Sequence, residues 1–467
     1  MEFISTRGKD GPISFETALL NGLARDGGLY LPVSWPCFNL DEIRQMRDLS
    51  YSDLAGLIMS QFTDGEINQV EMTSLARQSY ADFTHPDVAP LRPVAENIHI
   101  LELFHGPTIA FKDYAMQFLS RVFDRALTRQ NRTAVILGAT SGDTGSAALE
   151  AFKGRDSVDV FILFPEGRVS PVQQKQMTSI SAKGAHAVAV SGDFDDCQDM
   201  VKACFNDVAF RDEMKLSAVN SINWARLMPQ IVYYFASGLK VGAPEQTVAF
   251  CVPTGNFGNV FAGWVAAKMG LPVEKFIVAS NRNDILTRFF VTGTMQRRSV
   301  DPSLSPSMDI QVSSNFERLL FELLDRDGVE VARLMKRFAK SGSFDVAENV
   351  LQAALSLFSG FCLDDDGTKV EIRSTYQQTG MVIDPHSAVG LAGARQARAS
   401  GLVSRDTPII SLACAHPAKF PDAVQSSCGI YPELPEHLAN LMQRDDVMLT
   451  AENDMEAVQA LLRAERR

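Results

Sequence analysis

The sequence predicts an α/β fold, a mostly parallel sheet covered by helices on both faces, preceded by a helix-rich N-terminal region. Three observations point there. From His99 onward, short apolar runs bounded by turn residues alternate with amphipathic segments of helical period, the pattern of successive βα units. The runs are continuously apolar, as strands buried on both faces must be. The stretch before them instead reads as helix-like segments and loops: SFETALLNGLA, DGGLYLP, and a span from LDEIRQM through MTSLARQSYADF.

The first region, residues 1–90, reads as a separate cap. Strands are expected at HILELF, TAVILGA, DVFILFP, HAVAVSG, KLSAVN, QTVAFCVP, EKFIVAS and PIISLACA. Helices are expected at DYAMQFLSRVFDRAL, SPVQQKQMTSI, CQDMVKACFND, NWARLMPQIVYYFA and FGNVFAGWVAAKM. From about 300 to 370 the alternation breaks into NFERLLFELLDRD and VARLMKRFAK, which suggests a helical insertion within a catalytic region spanning 91–435. The last stretch, 436–467, ends in the charged amphipathic ENDMEAVQALLRAERR, a terminal helix without a chemical message. In this architecture ligands bind beyond the carboxyl ends of the strands.

Composition narrows the function. The chain has 467 residues, 46% hydrophobic and 21% charged, an ordinary globular balance that excludes extensive disorder. Lys and Arg number 44 against 56 Asp and Glu, so 44 − 56 = −12, a charge that disfavours nucleic acid and anionic membrane as partners. An anionic ligand must then be held by a local site. Seven scattered cysteines with no C-x-x-C pair suggest neither a disulfide framework nor a zinc site, and fit a reducing compartment. MEFISTRGKDG lacks a secretory apolar run, so a cytoplasmic location is expected.

Four segments carry chemistry. In FHGPTIAFKDYAMQFL, Lys112 opens a helix, where dipole and exclusion of water both disfavour the ammonium, the condition for a nucleophilic lysine. A lysine lying along a first turn reads the same in isolation. TSGDTG, from Thr140 to Gly145, follows a strand and precedes a helix, offering backbone N–H groups to a carboxylate or phosphate; Asp143 within it can equally cap the helix. PTGNFGN, from Pro253 to Asn259, has glycines at 255 and 258 that permit close approach by a phosphate monoester, or simply serve a tight turn. It matches neither a P-loop nor G-x-G-x-x-G, which disfavours a nucleotide. In LACAHPAKF, Cys414 offers an uncharged group to a heterocycle or is inert packing, while His416 and Lys419 are placed to meet an anion. His386, in VIDPHSAVG, reads as a structural histidine.

Taken in order, ISTRG, LARDGGLY, FHGPTIAFKD, GATSGDTGSAA, NSINWARLMPQIVYYF, VPTGNFGN, NRNDILTRFF, SPSMDIQVSSNFERL, IDPHSAVG and AHPAKF resemble the threonine synthases. The match is to the long form with an N-terminal domain, within the fold-type II pyridoxal-phosphate enzymes, and it spans nearly the whole chain. The resemblance implies two α/β lobes, pyridoxal 5'-phosphate as cofactor, and conversion of O-phospho-L-homoserine and water to L-threonine and phosphate. It implies Lys112 as the lysine joined to the cofactor aldehyde and Asp143 near the ring hydroxyl. The backbone N–H groups of Gly255, Asn256, Phe257, Gly258 and Asn259 become the phosphate cradle. Thr140, Ser141, Gly142 and Thr144 become candidates for the substrate carboxylate, and Ser314, Asn315, Arg318 and Lys419 for its phosphate. Cys414 stands where the family has a threonine facing the pyridine nitrogen, which leaves a hydrogen bond to that nitrogen open. Alternative readings are a phospho-lyase giving 2-oxobutyrate, which shares every cofactor contact, and a non-catalytic metabolite-binding relative, against which Lys112 and the intact glycine loop argue. A small-molecule substrate, no metal, and a monomer or weak dimer complete the expectation.

Overall fold

The computed structural model describes Met1 to Arg467 except Ser141. All eight expected strands form, and they divide between two sheets. The larger runs Phe358–Cys362, Val273–Ser280, Val248–Pro253, Ile409–Ala413, Ile98–Glu102, Leu91–Ala95, with every pair parallel except the last. The smaller runs Leu449–Ala451, Ala185–Val190, Val158–Pro165, Ala134–Ala139, Leu216–Ser217, parallel throughout. Val158–Pro165 and Val248–Pro253 are buried at every position, which is why they read as apolar runs, interrupted only by Asp159. Among the described residues no helix is long and apolar enough to cross a membrane.

Two expectations need correction. The segment expected as a helical insertion returns to the larger sheet through Phe358–Cys362, paired parallel to Val273–Ser280. Its FSGFC sequence is short, and a Cβ at Gly360 would come within 2.8 Å of Thr287 Cα, so close packing against a helix governs it and periodicity does not show it. The final stretch is likewise no appendage. Leu449–Ala451 extends the smaller sheet, and the Met455–Glu465 helix buries Val458 and Leu462 against Phe161 and Val188.

The N-terminal region packs closely on the rest of the chain. Its helices begin at good caps: Asn39 makes a capping box for Leu40–Gln45, while Ser50 and Asn68 cap Tyr51–Ser60 and Gln69–Tyr80. Its apolar side joins the catalytic core without a break: Phe3 and Phe62 pack on Trp224 with ring centroids 5.8 and 5.3 Å away. Each such aromatic, fully buried, contributes about 1.5–3 kcal/mol. Arg125, on the helix Lys112–Arg129, adds ionic ties to Glu16 and Glu71 at 2.7 and 2.5 Å.

Candidate active site

Three of the four motif turns follow adjacent strands of the larger sheet. Val248–Pro253 leads into the glycine turn, Ile409–Ala413 into Cys414, and Ile98–Glu102 into the turn before Lys112. The fourth turn, after Ala134–Ala139, brings Asp143 across from the smaller sheet.

Lys112 is the first residue of an eighteen-residue helix. The turn before it is fixed to the Cys414 segment: Phe111 N–H donates to the Cys414 carbonyl at 2.8 Å and His416 N–H to the Ile109 carbonyl at 3.0 Å. The buried Asp113 carboxyl accepts from Thr108 N–H at 2.8 Å and Thr108 Oγ1 at 2.7 Å, and burial lifts its pKa to about 6. Ile109, β-branched, is held at φ 54°, a strained conformation that such surroundings enforce.

The Lys112 ammonium lies 3.9 Å from Asp143 Oδ2. Burial lowers its pKa, Asp143 opposes the shift, and the charges of Lys419 and Arg226 add to it. Asp143 does not cap its helix. Its Oδ1 takes Lys419 Nζ at 2.8 Å and Gln173 Nε2 at 2.7 Å. Burial alone would raise the Asp143 pKa, but Lys419 and Lys112 hold the carboxylate well below its usual range. The fully buried Lys419 also donates to the Thr108 carbonyl at 2.8 Å, and Gln176 donates to the same carbonyl at 3.0 Å. The Cys414 thiol is buried, and burial pushes its pKa up, so it stays neutral.

In the glycine turn, Phe257 adopts a left-handed conformation at φ 62°, which curls successive N–H groups toward one side. Among the described residues, none of the N–H groups of Gly255, Asn256, Phe257, Gly258 and Asn259 meets a protein acceptor. The carbonyls are held from outside: Ser313 Oγ donates to Gly255 O at 2.7 Å, and Asn315 donates to Asn256 O through N–H at 3.0 Å and Nδ2 at 3.1 Å. The Asn259 side-chain oxygen accepts from Tyr233 and Tyr234 hydroxyls at 2.6 and 2.9 Å, leaving its buried Nδ2 without a partner among the described residues. The two glycines also have close protein neighbours. A Cβ at 255 would meet Ile310 at 3.1 Å and one at 258 would meet Asn315 at 3.2 Å, so they make room for the 308–315 segment.

Several candidates for the substrate anion are otherwise engaged. Thr140 Oγ1 accepts from the N–H groups of Gly142 and Gly145, bracing its own turn and taking the Gly142 N–H as well. Ser141 lies outside the described residues. Thr144 is half-buried, with a hydroxyl that makes no hydrogen bond among the described residues. Ser314 donates to Asn256 Oδ1 at 3.3 Å, and Asn315 is buried behind the glycine turn. Arg318, far from pairing on the surface, is fully buried and donates to the carbonyls of Tyr30 and Ile222 and to Asn315 Oδ1. Lys419 is committed to Asp143. His416 is neutral, its pKa lowered to about 4 by burial, and its Nδ1 accepts from Ala418 N–H. His386 bonds Asp384 and Ser307 N–H through its two ring nitrogens, a structural arrangement.

Arg226 is the residue the motifs did not single out. Nearly buried, it donates from Nη1 to the Val219 carbonyl at 3.0 Å, while its Nε has no acceptor among the described residues. Its signal was a lone arginine early in the otherwise apolar helix Trp224–Lys240.

Residues 2–80 match a family model described as threonine synthase N terminus, residues 90–348 one described as pyridoxal-phosphate dependent enzyme, and residues 387–462 one described as threonine synthase, C-terminal. The chain is 48% identical over 463 residues to threonine synthase from Pseudomonas aeruginosa, covering 99% of this chain and 98% of that protein. Pyridoxal-phosphate-bound threonine synthase from Brucella melitensis superposes with a TM-score of 0.97 at 50% identity, over 100% of both chains. Yeast threonine synthase gives a TM-score of 0.94 at 37% identity, over 99% of this chain and 98% of that one. With identity at this level over nearly the whole length of both chains, the chain belongs to the threonine synthase family of pyridoxal-phosphate dependent enzymes.

Proposed function

We propose that this chain converts O-phospho-L-homoserine and water to L-threonine and phosphate, with Lys112 as the cofactor lysine and proton carrier. The observation that carries the reading is a largely buried amine with a lowered pKa, 3.9 Å from a carboxylate, where the βα turns of two sheets converge. The residues fit pyridoxal phosphate. Five N–H groups without protein acceptors suit its phosphate, Lys112 its aldehyde, Asp143 its ring hydroxyl, and the neutral Cys414 thiol its ring nitrogen. Bound there, the cofactor withdraws electrons from the substrate and makes its α- and β-protons removable.

The chain's own groups supply the rest. Lys112, kept from holding its proton tightly, takes the α-proton and then a β-proton. Asp143, locked by Lys419 and Gln173, keeps the amine oriented between transfers. Arg226, with donors not engaged by protein, holds the substrate phosphate and stabilises it as it leaves. Thr144, at the start of the Asp143–Phe152 helix, serves the substrate carboxylate. Water then adds at the β-carbon and the γ-carbon takes a proton, which completes threonine.

Incubating the purified holoprotein with O-phospho-L-homoserine tests this. Threonine and phosphate should form in equal amounts. Equal phosphate and 2-oxobutyrate would identify the phospho-lyase instead, and no phosphate release would remove both.

A further inference from the structure

The cradle is braced by a buried cation whose anchor lies in the N-terminal region. Arg318 is fully buried, and among the described residues its guanidinium makes no salt bridge. Its neighbour Glu317 instead takes Arg7 Nη2 at 2.9 Å and Thr6 Oγ1 at 2.6 Å. The Arg318 guanidinium donates from Nε and Nη2 to the Tyr30 carbonyl at 3.1 and 2.9 Å, from Nη2 to Ile222 O at 2.5 Å, and from Nη1 to Asn315 Oδ1. Because arginine can only donate, the Asn315 amide has one possible orientation, with Nδ2 turned to the Asn256 carbonyl. That carbonyl belongs to the same peptide unit as the Phe257 N–H, one of the cradle's donors without a protein acceptor. Positive charge at one end of such a chain polarises each link, and two donors on the Asn256 oxygen fix the direction of the opposite N–H. A buried cation whose hydrogen bonds all go to neutral oxygens is costly, and an anion beyond the Phe257 N–H would offset part of that cost.

We propose that Arg318 is a positioning residue for the cofactor phosphate, acting through Asn315 and the Asn256–Phe257 peptide, and that Tyr30 makes the N-terminal region part of the cradle. The proposal rests on residues 255–259 holding the cofactor phosphate. It predicts a defect confined to that group.

The test compares pyridoxal phosphate with pyridoxal, which lacks the phosphate, in absorbance titrations of the full-length apoprotein. Asn315→Asp keeps the size and the bond to Arg318 but loses the donor to Asn256. Arg318→Met removes the charge, and the near-isosteric Asn315→Asp keeps the test decisive should Arg318→Met fail to fold. In both variants the Kd for pyridoxal phosphate should rise at least about tenfold, with the Kd for pyridoxal unchanged. Unchanged affinities, or equal losses for both ligands, overturn the proposal. Hydrogen exchange of the 254–260 segment in the wild type separates the two levels. Protection by pyridoxal phosphate and not by pyridoxal supports the cradle, and its absence removes the cradle and the proposal together.

Discussion

At the scale of the residue, the site is a cluster of mostly buried charges, Lys112, Lys419 and Arg226 near the carboxylate of Asp143, of which Lys112 keeps some exposure. Asp143 opposes the lowering of the Lys112 pKa, so Asp143→Asn should lower that pKa further. The acid limb of the pH profile for cofactor loading should then move to lower pH, and a shift to higher pH would contradict the assignment. Burying the amine also has a stability consequence. With the folded pKa below the ordinary 10.5, the folded state is penalised as pH falls from 10.5 through the lowered value, and the penalty is absent above 10.5. Lys112→Met apoprotein should therefore be more stable at neutral pH, on the order of 1 kcal/mol, with the gain fading toward pH 10.5; urea unfolding at the two pH values checks this. Arg226→Met should cost about 2–5 kcal/mol in kcat/KM for the phosphorylated substrate while leaving cofactor affinity unchanged; equal kcat/KM would release Arg226 from the substrate phosphate. Lys112 and Asp143 were legible because their turn positions advertise chemistry. Arg226 was not, since a helix interior gives no hint of which buried cation lacks partners. Arg318 misled for the same reason: sequence shows a guanidinium, and only packing shows that neutral oxygens occupy it.

At the scale of the element, the central strands and the helices between them read well, and most edge strands did not. Ala134–Ala139 and Val248–Pro253 announced themselves because they carry no charged or hydroxyl position to blur them. Phe358–Cys362 and Leu449–Ala451 lie at sheet edges, partly exposed, and carry no such signature. That the glycines of this turn also make room for the 308–315 segment was not legible, because the side of the backbone that a Cβ would occupy is a tertiary fact. Gly258→Val should push Asn315 from the Asn256 carbonyl and weaken pyridoxal phosphate retention at least about tenfold, measured by dialysis and absorbance. Retention equal to wild type would mean the turn does not hold the phosphate. The Lys112 turn depends on its internal bonds in the same way: Asp113, Thr108 and the strained Ile109 form one local structure that aims the helix start.

At the scale of the whole molecule, the N-terminal helices, the larger sheet and the smaller sheet share one apolar core, so the active site is not under a cap but among its supports. Ionic ties reinforce this, since Glu16 and Glu71 both reach Arg125 on the helix Lys112–Arg129. Arg125→Met should lower stability by about 1–3 kcal/mol in chemical denaturation, and an unchanged midpoint would show the tie to be idle. The account as a whole stands on Lys112. Peptide mass spectrometry of the borohydride-reduced holoprotein should find the pyridoxyl phosphate mass on Lys112 and on no other residue. The same mass on Lys419, or on no lysine at all, would contradict it.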